Sequence, residues 1–358
     1  MKKVLLLTDV NFWERSSGNR ARIYSLVEFL SRRVNLTVVN TGPAPELIES
    51  LLSTEFKSEF HVLEKTKYLN SNGYGRRLQK LVKNRQFDAI IIEYIHSSYF
   101  LNFLEDRRAK IILDAHDIIS ERTRDFKQFN YPGALYEMDE KTEIEILNVY
   151  DHIMAICQPD YDKINKLIGQ DKALLCPHPA IAVLHPFRNS VKNIVFVASA
   201  YLPNADAINL FLENCWTTIS EKYDVHLSIY GSVGGLVKTN GYQQVSLMGF
   251  VPEINDIYQE ADIVINPVRF GAGLKIKNVE ALANGIPLIT TSHGARGLEA
   301  GINHAFLIAD APLEMIEAIS SLIDHPEIRR KLGEQAHEFI KDRFSPGKCF
   351  GPLLDILN

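Results

Sequence analysis

The sequence predicts an α/β protein built from two doubly wound units that face each other across a cleft. Three observations carry this. The chain has 358 residues, about two domains at ~150 residues each. Short β-branched apolar runs alternate with helical spacing, the pattern of a parallel sheet covered by helices on both faces. The alternation stops at a proline-marked stretch, Cys176-Pro177-His178-Pro179 through His185-Pro186-Phe187, and restarts beyond it.

In chain order, Val4–Leu7, Leu36–Val39, Ala89–Ile92, Ile111–Leu113 and Ile153–Ile156 read as buried parallel strands, apolar throughout and bounded by polar or turn residues. Ile23, Leu26, Val27 and Leu30 fall at helical spacing between the first two, and Ile144 and Leu147 do so later. After the prolines, strands are expected at Ile194–Val197, Val225–Tyr230, Val245–Leu247, Ile263–Ile265 and Leu288–Thr290. Helices are expected at Asp206–Leu212, Asn255–Glu260, Lys277–Ala283 and Leu313–Ile323. The expected division is 1–187 for the first domain and 188–343 for the second, with 344–358 crossing back onto the first. Strand carboxyl ends and helix amino ends then line the cleft, where open α/β sheets bind ligands.

Composition narrows the function classes. Lys+Arg 39 against Asp+Glu 44 gives a net charge of −5 with 46% hydrophobic residues, which excludes a disordered or collagen-like chain. A mildly acidic chain is a poor bulk nucleic-acid binder, because phosphate backbones demand a concentrated positive face. Cys157, Cys176, Cys215 and Cys349 are far apart with no C-x-x-C pair. They read as reduced core thiols of a cytoplasmic protein, not as a zinc site or disulfide frame. Met1-Lys2-Lys3 before Val4–Leu7 looks like a signal-peptide start, but Asp9 ends the run too early, so a first strand is expected. No apolar run approaches the ~20 residues of a membrane span.

The densest chemical signal is Phe270-Gly271-Ala272-Gly273-Leu274-Lys275-Ile276-Lys277-Asn278-Val279-Glu280-Ala281-Leu282-Ala283-Asn284-Gly285-Ile286-Pro287. A strand ending at Asn266-Pro267 leads into a glycine turn, and a helix begins near Ile276. Glycines let backbone approach an anion closely, and helix-start N–H groups favour phosphate. Lys275 and Lys277 add positive charge there. Glu280, one turn into the helix, is placed to accept hydrogen bonds from a ribose diol. Ser16-Ser17-Gly18-Asn19-Arg20 precedes another helix start facing the cleft, and Asp114-Ala115-His116-Asp117 directly follows a strand. Arg122 and Arg124 lie just beyond, suited to an anionic acceptor or to solvent.

The string Gly-x-Gly-x-Lys-x-Lys-x-x-Glu-Ala-x-Ala-x-Gly-x-Pro resembles the nucleotide-sugar segment of GT-B-fold retaining glycosyltransferases of the family 4 type, also called glycosyl transferases group 1. Phe196-Val197-Ala198-Ser199 with Pro203–Ile208, Gly249-Phe250-Val251-Pro252 with Tyr258, and Thr290-Thr291 with Gly294 and Gly297-Leu298 resemble further stretches of their donor domain. The resemblance is strong from about 194 to 344 and looser before that. It implies a GT-B fold of two Rossmann-like domains and transfer of a sugar from a nucleotide diphosphate sugar, UDP- or GDP-linked, to a hydroxyl acceptor in bacterial surface glycan synthesis. The acceptor would be a saccharide or a lipid-linked or protein-linked glycan. No metal and no other cofactor is expected.

The resemblance also assigns roles. His116 would contact the transferred sugar, Lys275 the diphosphate and Glu280 the ribose. Gly18, Asn19 and Arg20 would lie under the phosphates, and Phe250 and Val251 would hold the base. Arg269, Gly271, Ala272, Gly273, Leu274 and Lys277 would complete the donor site. Two departures matter. Ala272 stands where many members carry a first glutamate, and Ala198–Pro203 lacks the arginine that commonly clamps the diphosphate. Lys275, Lys277 or Arg269 would then neutralise it, with Lys275 favoured. Acceptor loops are expected around 12–19, 64–80 and 118–135.

Other signals carry less. Asp160-Tyr161-Asp162 has the Asp-x-Asp form of metal-bound donors but reads as acids in a first helical turn. Gly231-Ser232-Val233-Gly234-Gly235 lacks the partners of a dinucleotide fingerprint, which argues against NAD and leaves it to line the nucleotide pocket. Arg76, Arg77, Lys80, Lys83 and Arg85 interleave with Leu78, Leu81 and Val82, with Tyr68, Leu69 and Tyr74 nearby. That pattern suits either a solvated helix or contact with an anionic membrane at its inner face. A nucleotide-sugar epimerase of the same fold and a non-catalytic nucleotide-sugar-binding subunit remain as alternative readings.

Overall fold

The computed structural model describes residues 1–63, 70–104, 108–133, 135–169 and 171–358. Among these, the first domain carries a parallel seven-stranded sheet: β1 Lys3–Thr8, β2 Asn35–Asn40, β3 Glu59–Val62, β4 Ala89–Glu93, β5 Lys110–Asp114, β6 His152–Ala155 and β7 Ala173–Leu175. The second carries a parallel six-stranded sheet: β8 Asn193–Val197, β9 His226–Tyr230, β10 Val245–Gly249, β11 Ile263–Asn266, β12 Leu288–Thr290 and β13 Leu307–Ile308. The orders are β3-β2-β1-β4-β5-β6-β7 and β10-β9-β8-β11-β12-β13. Each therefore reverses direction once, between β1 and β4 and between β8 and β11. Those reversals open the crevices at the strand carboxyl ends where the site lies. This is the two-domain Rossmann-like architecture of the GT-B fold.

The buried runs explain the strands. Val4 to Leu7 and Ile91 to Ile92 are fully buried, because helices cover both faces of the sheet. On the helix Gly18–Ser31, Ile23, Leu26, Val27 and Leu30 form one stripe against that sheet. Burying each such side chain contributes ~1.5–3 kcal/mol. The final helix, Pro346–Leu357, inserts Phe350, Leu353 and Leu357 into the same core, with the Phe350 and Phe29 rings 5.3 Å apart.

Sequence periodicity missed the short edge strands β3, β7 and β13, and the helices Ile48–Phe56 and Pro326–Arg343. It placed the basic helix too late. That helix spans Ser71–Val82, capped by Asn70, whose side chain accepts from the Gly73 N–H at 2.8 Å. It buries Tyr74 and Leu78 and leaves Arg76, Arg77 and Lys80 exposed. Arg85 is not on it. Its guanidinium turns to the Glu59 carboxylate and the Thr37 hydroxyl of neighbouring strands, so the run 76–85 is not one continuous basic face. Tyr68 and Leu69 lie outside the described residues, as does part of the expected acceptor loop 64–80. No helix among the described residues is long and apolar enough to cross a membrane.

Candidate active site

The first-domain wall is built where β4 and β5 end. Asp114, the last residue of β5, is fully buried and accepts both Nε and Nη2 of Arg22 at 2.8–3.2 Å. Arg22 lies one turn into the helix Gly18–Ser31, so this buried pair fixes the amino end of that helix against the β5 loop. Breaking one partner of such a pair costs ~3–5 kcal/mol.

Two residues beyond Asp114, His116 adopts φ +62, a conformation unusual for a side chain of its size. Its ring stacks on Tyr94 at 3.9 Å and 9°, and Tyr94 itself has φ +66. The imidazole Nε2 is 2.7 Å from Glu93 Oε2. Burial pushes His116 down to about 4, and burial beside Asp114 holds Glu93 well above the usual carboxylate range. His178, in the proline stretch, is likewise pushed down to about 3 by burial, with Arg22 and His116 adding to the effect.

The second-domain wall is the glycine turn and the helix Ile276–Ala283. Gly271 and Gly273 take φ +103 and +71, open to glycine without strain. The Lys275 ammonium donates to the carbonyl oxygens of Gly271, Ala272 and Gly273 at 3.1–3.2 Å. The lysine thus neutralises the turn's own carbonyls, while the Gly271 N–H donates to the Asp125 carboxylate. His293 Nε2 is 2.5 Å from the Gly271 oxygen.

Two residues on, the Lys277 ammonium donates to Asn204 Oδ1 at 2.7 Å and lies 4.8 Å over the Phe196 ring. The Tyr258 hydroxyl is 3.3 Å from Glu280 Oε2 and 3.1 Å from the Lys277 carbonyl oxygen. Burial pushes Lys275 down to about 8, Lys277 down to about 7 and Glu280 up to about 7. Three ionisable groups poised near neutrality in one cleft mark a place where bound charge shifts protons readily.

Glycines bring the two walls into contact. A Cβ on Gly18 would lie 3.2 Å from Ile276, so the amino ends of helices Gly18–Ser31 and Ile276–Ala283 face each other. A Cβ on Gly273 would lie 2.9 Å from the His116 carbonyl oxygen. Around them the first domain grips the second. Phe270 is fully buried, stacked on Phe129 at 4.7 Å and Tyr131 at 5.0 Å, with Phe126 edge-on. Arg296 donates to Asp160 at 2.7 Å and to Glu121 at 2.8 Å.

The structure brings Gly18, Asn19, His116 and the turn Gly271–Lys275 to one junction, carries Lys277 and Glu280 on the helix that follows, and gives Arg20 and Arg269 other partners. Asn19 accepts from Ser17, and its side chain also hydrogen-bonds Tyr94. Arg20 is turned back to Glu14 and Ser16, because those acids and hydroxyls are its near neighbours on the exposed side of the turn. Arg269 pairs with Asp206 at 2.8–3.0 Å while Tyr131 donates to the same carboxylate. It lies at the domain junction, where Asp206 takes its guanidinium. Phe250 is 55% exposed at the end of β10 and Val251 half-buried. Arg122 pairs with Asp117.

Several site residues carried no sequence signal. Glu93 ends β4 and Tyr94 directly follows it, both far from the glycine turn in sequence. His96 Nε2 is 2.8 Å from Asp9 Oδ2, at the β1–β4 reversal, and the His96 ring stacks on the other side of the Tyr94–His116 pair at 5.3 Å. Glu93, Asp114 and His116 bring possible metal ligands within 4.8 Å of one another, yet Asp114 gives both oxygens to Arg22. Asp160, of the Asp-x-Asp string, is paired with Arg296.

Residues 191–325 fit the family model described as "Glycosyl transferases group 1". A 44.6 kDa protein in the cps region of Klebsiella pneumoniae is 24% identical over 307 residues, covering 77% of this chain and 76% of its own. The glycosyltransferase MJ1178 of Methanocaldococcus jannaschii is 29% identical over 125 residues, 34% of this chain and 35% of its own. Among solved structures, S. aureus TarM with UDP and alpha-GlcNAc-glycerol superimposes with TM-score 0.79 at 12% identity, over 100% of both chains. Anabaena HepE with UDP and glucose gives TM-score 0.74 at 12% identity, over 100% of this chain and 99% of that one. The structural likenesses give the GT-B fold, and the matched family model adds support for a glycosyltransferase.

Proposed function

We propose that this protein transfers a sugar from a nucleoside diphosphate sugar to a hydroxyl acceptor with retention of anomeric configuration, in the synthesis of a bacterial surface glycan. The observation that carries the reading is the junction itself. A glycine turn at a helix amino end, flanked by Lys275 and Lys277, lies in contact with the backbone of His116. An anion on one wall and a sugar against the other is the arrangement this reaction requires. The match of residues 191–325 to a glycosyl transferase model and the UDP held by TarM and HepE support the same donor class, a UDP- or GDP-sugar.

In this mechanism the bond between the anomeric carbon and the diphosphate oxygen breaks as the acceptor oxygen approaches on the same face. The acceptor proton passes to the leaving phosphate oxygen, so no side chain must act as base. The Ala272 and Gly273 N–H groups, the helix dipole and the two lysines stabilise charge developing on the diphosphate. Glu280 holds the ribose diol, with Tyr258 fixing its carboxyl group, while His116 orients the sugar. The backbone at Phe250 and Val251 flanks the base. Closure around Phe270 excludes water that would hydrolyse the donor. No protein-bound metal takes part. The acceptor, a saccharide or a lipid-linked or protein-linked glycan, enters at the β1–β4 reversal, lined by Asp9, His96 and Tyr136, whose ring lies 5.7 Å from that of His96. Arg76, Arg77 and Lys80 rest on anionic lipid at the cytoplasmic face of the membrane.

Thermal denaturation with UDP, GDP, ADP and their sugars tests the donor class. Binding to the folded state raises Tm by mass action, ~2.7 kcal/mol at a hundred times Kd. One nucleotide should stand out; no shift with any of them contradicts the reading.

A further inference from the structure

The Glu93 carboxyl group is the most costly feature of the first-domain wall. It closes β4 with 0% exposure, and its Oε1 has no hydrogen-bond partner among the described residues. Its contact is through Oε2, 2.7 Å from Nε2 of His116. Asp114, buried beside it, already has its own cation in Arg22. Beyond that one hydrogen bond to His116, Glu93 keeps a buried oxygen unpaired, which costs stability. A buried acid retained under these conditions, in contact with a histidine at φ +62 stacked on a second strained residue, points to function.

We propose that Glu93 is a positioning residue for His116: its carboxyl group holds the Nε2 side of the imidazole and so fixes which tautomer Nδ1 offers to the transferred sugar. The inference rests on the transferase reading for the identity of that ligand, but not for the pairing. Burial drives both groups neutral, so the shared proton lies on Glu93 and is donated to Nε2. The imidazole then carries its own hydrogen on Nδ1, a donor for a sugar hydroxyl oxygen or for the oxygen departing with the diphosphate. Tyr94 holds the ring plane, and Glu93 sets its rotation and tautomer. Histidine ligands elsewhere are governed by the hydrogen bond on their far nitrogen in the same way.

Glu93→Leu and Glu93→Gln test this, each alone and in the His116→Ala background. For Glu93→Leu, kcat for transfer should fall ~10–100-fold, with the nucleotide-induced Tm shift retained. Glu93→Gln, which can donate to Nε2 with its amide, should recover most of the loss. In the His116→Ala background neither change should lower kcat further. A second readout does not need activity. In protein labelled with 15N-histidine, the His116 resonance, identified by its absence in His116→Ala, should report the Nδ1–H tautomer. It should report a mixture in Glu93→Leu. Unchanged kcat or an unchanged tautomer in Glu93→Leu overturns the proposal. A Tm loss of equal size in Glu93→Leu and Glu93→Gln, with an unchanged tautomer, shows a structural carboxyl group. An absence of transfer by the wild-type protein removes the transferase reading while the tautomer measurement still decides the pairing.

Discussion

The carbonyl oxygen of His116 rests against Gly273, so close that a Cβ on the glycine would lie 2.9 Å from it. That single contact joins the sugar-facing wall to the phosphate-facing turn. It also makes Gly273 doubly constrained, because φ +71 is itself open chiefly to glycine.

Gly273→Ala should therefore lower stability by about 1 kcal/mol or more and reduce transfer more than nucleotide binding. Gly169 is the control. It has φ +63 but nothing within 4 Å of a built Cβ, so Gly169→Ala carries the backbone cost alone. Denaturant titration and transfer rates of the two variants separate the terms; equal behaviour would show that the contact with His116 does not matter.

Nucleotide binding should change sign in its proton exchange. Near pH 8 Lys275 and Lys277, held at about 8 and about 7 by burial, are partly or largely uncharged. A diphosphate beside them restores the ammonium form, so protons are taken up. Near pH 6 both lysines are already charged, while Glu280, raised to about 7, is mostly protonated. A ribose diol donating to its carboxylate then expels a proton. Titration calorimetry in buffers of different ionisation enthalpy reads both signs. Uptake absent near pH 8 would place the lysines away from the nucleotide.

Lys275 and Arg269 should separate cleanly. Lys275→Met removes the cation beside the phosphate turn and should weaken nucleotide binding ~10–100-fold, the scale of charge-assisted hydrogen bonds. Arg269 is half-exposed on Asp206, so Arg269→Ala should cost roughly 1 kcal/mol of stability and leave nucleotide affinity nearly unchanged. Fluorescence-based nucleotide titration with Tm for each variant checks this; a larger affinity loss in Arg269→Ala would return that residue to the diphosphate.

The exposed cations of Ser71–Val82 make the membrane proposal measurable. Arg76→Glu with Lys80→Glu should abolish co-sedimentation with phosphatidylserine vesicles, each basic side chain being worth ~1 kcal/mol near such a surface. Transfer to a soluble acceptor should be unaffected. Wild-type protein that fails to sediment at low salt removes the membrane from the account.

Much of this molecule is legible as sequence, and the reasons for the rest are local. Val4–Leu7 and Ala89–Ile92 read as strands because burial on both faces leaves no polar position. β3, with Glu59-Phe60-His61-Val62 at a sheet edge, needs no such purity, and β7 and β13 are too short to show a period. The glycine turn and its lysines are legible because consecutive residues do the chemistry. Glu93 is not, since it ends an apolar run and meets His116 only through the pairing of β4 with β5. The pairing of Arg269 shows the same limit: its partner, Asp206, is 63 positions away.

The most direct test of the account is the fate of the donor in the cleft. Purified protein incubated with UDP- and GDP-sugars and candidate acceptors, followed by proton NMR, should release the nucleoside diphosphate of one donor. The anomeric signal of the product should keep the donor's configuration, and both changes should be largely lost in Lys275→Met and His116→Ala. Inverted configuration, or release that Lys275→Met and His116→Ala leave untouched, would contradict the site and mechanism assigned to these residues.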